Sequence, residues 1–151
     1  MVEPKIEQIH FGPATAGCAS RAGWARLTNG VEVAVCLPGE RICLDGVDST
    51  LTNPAKFCGL HELAHAWLVQ NVSAETEVAF LAHTGLDTWM TTEDTPWHKR
   101  GVEYAAETIA WGLMDTRLNL IRLADPDCRQ IEIGFGLITG ATPLVHCDDA
   151  R

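Results

Sequence analysis

Much that would narrow the function of this chain is missing from it. None of its six cysteines makes a Cys-x-x-Cys pair, which excludes the motifs that signal a clustered zinc or redox site. No apolar run approaches the ~20 residues that cross a membrane. Basic residues are few, 11 against 20 acidic ones for a net charge of −9, so a phosphate backbone is repelled on average and nucleic acid is not expected as a direct substrate. There is no internal repeat, low-complexity tract or linker, and 151 residues read as a single domain over 1–151. The opening MVEPKIEQIHFGPATAG carries acids, a proline and a histidine where a secretory signal needs a basic start and an apolar stretch. The expectation is a cytoplasmic protein, with secretion left open by the six cysteines. Nothing speaks to oligomeric state.

What is present is an ordinary globular composition, 46% hydrophobic and 21% charged. Strand patterns come first: Gly23 to Leu27, an Asn29-Gly30 turn, then Val31 to Cys36 with alternating apolar positions. Pro38-Gly39 turns the chain again before Arg41 to Leu44, which completes a three-stranded meander. A helix is expected from Asn53-Pro54, the cap and the first helical position, to about Gln70. Ser73 caps a short helix that stops near Gly85, and Thr95-Pro96 caps a long one through about Asp115. A last helix starts near Asp127, buries Ile131, Phe135 and Ile138, and ends at Gly140. The class is α+β. Cys58 reads as a small buried hydrophobe, while Cys128 and Cys147, flanking the last helix, are the best-placed disulfide pair.

The informative segment is His61-Glu62-Leu63-Ala64-His65, an H-E-x-x-H inside the first helix. Residues four apart share a helical face, so both imidazoles can point at one ion, and Glu62 is turned about 100° aside, near a metal-bound water. With six histidines in the chain the pattern arises by chance only about 0.02 times. Two histidines and a glutamate on a core helix without a joint role would also need costly polar satisfaction. A catalytic zinc keeps three protein ligands and an open position, and downstream lies Glu103-Tyr104-Ala105-Ala106-Glu107 on the second long helix. Either Glu103 or Glu107 could face the first helix, depending on rotation, and Glu103 is favoured because Glu107 then falls one turn on.

The pairing of H-E-x-x-H with E-x-x-A-E resembles the gluzincin zinc metallopeptidases, and among them the ImmA/IrrE-type and lethal-factor-type peptidases, over residues 55 to 115. The resemblance implies a small zincin-like domain with a short antiparallel sheet packed on the H-E-x-x-H helix and a second helix bearing the third ligand. It implies zinc held by His61, His65 and Glu103, Glu62 as general base, and Glu107 orienting a ligating imidazole. The substrate would be a polypeptide laid along an edge strand, Val31 to Cys36 or Arg41 to Leu44. His98 is the candidate donor to the oxyanion, with Tyr104 and His83 behind it, and Trp67, Trp89, Trp97 and Trp111 read as core or site wall. Two rival readings stand beside this one. Ala16-Gly17-Cys18-Ala19-Ser20 resembles the cysteine-ligand segment of peptide deformylases, which would make Cys18 the third ligand. Alternatively, the fold serves as a zinc-binding regulatory or protein-interaction domain without catalysis.

Overall fold

The computed structural model describes residues 8–11, 24–28, 32–37, 54–90, 94–115, 123 and 127–148. Three strands, β1 (Gln8–Phe11), β2 (Trp24–Thr28) and β3 (Glu32–Leu37), precede four helices, α1 (Pro54–Asn71), α2 (Ala74–Thr84), α3 (Gly101–Gly112) and α4 (Cys128–Thr139). Among the described residues no helix is long and apolar enough to cross a membrane.

The expected α+β domain on an antiparallel sheet is corrected in two respects. From residue 54 onward every described element is a helix and none is a strand, so helices, not a sheet, make up the described core. The three strands that come before are mixed, in the order β1-β3-β2. β2 pairs antiparallel with β3, from Trp24 opposite Cys36 to Thr28 opposite Glu32; the expected Asn29-Gly30 turn lies outside the described residues. The third partner is β1, running parallel, with Gln8 opposite Ala34. Arg41 to Leu44, the expected third strand, lies outside the described residues. β3 is therefore the central strand, with both edges used, and cannot receive an added peptide strand.

α1 begins at Pro54, whose missing N–H costs nothing at a first helical position; its expected cap, Asn53, lies outside the described residues. Phe57, Cys58, His61, Glu62, Ala64, Ala66, Trp67 and Leu68 are all buried. Burial around most of a helix means neighbours on more than one side, and α1 packs on β2 and β3 as well as on α3. Lys56 pairs with Asp115 at 3.2 Å, while His65 meets Glu103 at 3.2 Å. The start of α1 thus lies by the end of α3 and the two helices run antiparallel.

The Ser73 cap of α2 is where the sequence put it, and α4 starts as expected at Asp127, which caps it. Ser73 Oγ accepts from the Thr76 N–H at 3.2 Å, and Asp127 Oδ1 from the Arg129 N–H at 3.3 Å. Gly85 and Gly140 close the helices at φ 71° and 65°, the left-handed region that glycine enters without strain. Ile131, Phe135 and Ile138 are buried as expected.

α3 departs from expectation. The chain after Pro96 makes one 3-10 turn, Trp97–Lys99, and Arg100 is then extended at φ −88°, ψ 112°, so the α-helix starts at Gly101 and not at 96, and ends at Gly112. The cause is tertiary: Gly101 and Val102 donate to the Thr88 and Trp89 carbonyls at 3.1 Å each. That pairing draws the backbone against residues 88–89 and breaks the helix there.

Cys128 and Cys147 form a disulfide, with Cα atoms 5.7 Å apart. Cys58 is buried but is not the free small hydrophobe expected; it is disulfide-bonded too. No described cysteine is free.

A Cβ at Gly101 would lie 2.7 Å from the Thr88 carbonyl oxygen and 3.0 Å from the Trp89 Cα, backbone atoms that cannot swing aside. Gly101→Ala is expected to cost about 1–3 kcal/mol, the usual range for overpacking, seen as a lower urea midpoint at unchanged slope. An unchanged midpoint would mean that residues 88–89 are free to give way.

Candidate metal centre

Three of the sequence-selected residues converge where α3 begins beside the middle of α1. His61 Nε2 lies 3.1 Å from His65 Nε2 and 3.3 Å from Glu103 Oε2; His65 Nε2 lies 3.2 Å from the same oxygen. Among the described residues these three side chains form the group able to hold a metal ion. Of the two glutamates left open by the sequence, Glu103 joins the triangle. Glu107, one turn on, lies 3.3 Å from His61 Nδ1. Cys18 lies outside the described residues.

The triangle can be tested against a metal's requirements. Tetrahedral bonds of about 2.0–2.1 Å imply ligand atoms about 3.3–3.4 Å apart, and the three edges here are 3.1, 3.2 and 3.3 Å. Ligand chemistry agrees: two imidazole nitrogens and one carboxylate oxygen suit a small transition-metal dication. Two nitrogens and a carboxylate oxygen this close would repel without a cation between them, either a proton or a metal ion.

Electrostatics show the same demand. Burial works against a charged His61, but the Glu103 and Glu107 carboxylates, with Glu62 adding its field, outweigh it and hold the ring's pKa at about 10. Burial likewise opposes ionised Glu103, yet the two histidines keep its carboxyl well below the usual range. Glu107 is only 1% exposed. An isolated buried carboxylate costs several kcal/mol, and its approach to His61 offsets part of that cost.

Glu62 follows His61 on α1 and is buried at 6% exposure. The imidazoles of His61 and His65 meet edge to face, centroids 4.7 Å apart, and the Trp97 indole stacks on His61 at 5.9 Å and 27°. This stacking was not legible in the sequence, where nothing set Trp97 apart from the other tryptophans.

The oxyanion candidates fare differently. His98 sits exposed on the 3-10 turn. His83 donates through Nε2 to the Gln130 carbonyl at 2.8 Å, with the Gln130 amide returning a bond to the His83 carbonyl, which commits it to the α2–α4 contact. Tyr104 is buried and meets Phe80 edge on at 5.9 Å, in the core and away from water. Comparison with protein-family models, curated proteins and solved structures finds no match in any of the three.

Burial pushes the Tyr104 hydroxyl up to about 12 from its ordinary 10.0. It is the only tyrosine in the chain, so phenolate absorbance reports it alone. The folded protein should titrate at about 12. Because the unfolded chain gives up this proton first, stability should fall as the pH rises from 10 to 12. A midpoint near 10 in the folded state would place the hydroxyl in water and return Tyr104 to the list of possible donors.

Proposed function

We propose that the chain is a zinc-dependent peptidase. The observation that carries the reading is the triangle of His61, His65 and Glu103 ligand atoms, with a buried carboxylate, Glu62, adjacent in sequence to one of them. A domain that needed metal only for structure has no use for that carboxylate, whose burial is costly.

In this reading His61, His65 and Glu103 would hold the ion through two imidazole nitrogens and one carboxylate oxygen. Zinc, when bound, would polarise the scissile carbonyl and lower the pKa of its water to about 7. Glu62 takes the proton of the attacking water and later delivers it to the departing amine. The Glu107 carboxylate, 3.3 Å from His61 Nδ1, favours the ring proton at that nitrogen, which would leave the Nε2 lone pair for the ion. His98, exposed beside Trp97, keeps its place as donor to the carbonyl oxygen. The substrate is a polypeptide. Paired cysteines are typical of chains that fold in an oxidising compartment, and they support such a setting over the cytosol that the N-terminal residues suggested.

Two variants separate the chemistry from the coordination. Glu62→Gln should bind zinc nearly as wild type, since the amide keeps the shape, and lose at least about 100-fold in hydrolysis, since it cannot take a proton. Glu103→Ala should instead weaken zinc itself. The measurements are metal content and cleavage of a peptide that wild type cuts in a chelator-sensitive way. Wild-type cleavage by Glu62→Gln would refute the mechanism. Zinc bound with no cleavage across a proteome-derived peptide library would favour a binding domain.

A further inference from the structure

His61 is held at both nitrogens and also on one ring face. Glu103 and His65 meet Nε2, at 3.3 and 3.1 Å, and Glu107 meets Nδ1 at 3.3 Å. Contacts at the nitrogens set where the ring points, but the torsion that swings a histidine ring about its Cβ–Cγ bond is broad and soft. A swing of that kind would carry Nε2 out of the triangle. The Trp97 indole lies over the ring face at 5.9 Å with planes only 27° apart, where it opposes this motion.

The indole is carried by a fixed backbone. Lys99 N–H donates to the Pro96 carbonyl at 2.9 Å, and Arg100 N–H to the Trp97 carbonyl at 3.1 Å. The Arg100 side chain donates through Nε to the Thr95 carbonyl at 2.8 Å. The next residues, Gly101 and Val102, are bonded to Thr88 and Trp89. Trp97 is also packed against the apolar core, so the wall does not move freely with the ring.

We propose that Trp97 is a positioning residue for His61, its indole restricting the swing of the imidazole and thereby setting how tightly the site binds metal. The proposal rests on the reading of His61, His65 and Glu103 as a metal site. It assigns a role to a residue that neither binds the ion nor takes part in hydrolysis.

Zinc affinity is measured on the full chain by competition with a chromophoric chelator, for wild type and for Trp97→Phe, Trp97→Leu and Trp97→Ala. Residues that orient a metal-bound histidine are usually worth 10–100-fold in affinity. A loss in that range is expected for Trp97→Ala and Trp97→Leu. Trp97→Phe, which restores a flat ring, should recover most of it. Trp89→Phe is the control, because that indole lies on the same connection but meets Phe80; its affinity should be that of wild type. Leucine keeps apolar bulk without a flat face, so it separates ring stacking from simple packing should the alanine variant fail to fold. Wild-type affinity in Trp97→Leu would overturn the proposal.

A metal-free readout keeps this test apart from the metal reading. In wild type the His61 ring protons should carry the ring-current shift of the indole, and in Trp97→Leu that shift should vanish and the resonances broaden. If wild type binds no zinc yet this spectral change occurs, the restraint on His61 stands and the metal reading falls. Identical His61 spectra in the two proteins would overturn the proposal whatever the metal result.

Discussion

The contact between α1 and α3 has to bury charge and still serve as core. His61, Glu62, Glu107 and Thr108 are buried in the same region as Ala64, Ala105, Ala106 and Ile109. Left alone, each carboxylate would cost several kcal/mol. Their compensation is mutual: Glu103 and Glu107 address the two nitrogens of one imidazole, and that imidazole is held charged up to about 10 although its burial opposes this. The interface is stable only as a set, which is why removing one member should disturb the others more than its own contacts suggest.

The rest of the described fold keeps these two helices at the right distance and rotation. Small residues on both sides, Gly59 and Ala64 on α1 and Ala105 and Ala106 on α3, are buried and let the backbones come close. At the start of α3, Gly101 is pressed against residues 88–89, and at its end a Cβ on Gly112 would collide with the Phe135 ring of α4. α3 is thus confined at both ends, and Glu103, two residues after Gly101, has its direction fixed by how the helix begins. The exposed Lys56–Asp115 pair contributes little energy, though it marks the antiparallel alignment.

What the sequence revealed follows the range of each signal. The H-E-x-x-H spacing, the Ser73 cap, the start of α4 near Asp127, the closing glycines and the β2–β3 pairing are encoded locally, and all appear in the structure. β1 was missed because its pairing with β3 joins segments more than 20 residues apart and runs parallel, which no local pattern records. The start of α3 was misplaced because Thr95-Pro96 is a valid cap in isolation, whereas the Thr88 and Trp89 carbonyls that decide the matter are remote. Glu103 and Glu107 could not be separated from spacing alone, since one turn apart they share a face and only the rotation of α3 assigns their roles. Cys58 looked like a core residue because burial and pairing leave the same local trace.

A core that spends part of its interface on imidazoles and carboxylates buries less apolar surface than its size would allow, and small domains have little to spare. Cross-links answer this without adding core, because they act by restricting the unfolded chain. The pairs fall where such help matters. Cys58 stands one turn before His61 on α1, so its bond restrains the helix that carries two of the three residues of the triangle. Cys128–Cys147 closes the chain around α4, the helix that backs α3 through Phe135. The charged interface and the disulfides are therefore two sides of one arrangement, in which covalent restraint offsets apolar burial given up to the site.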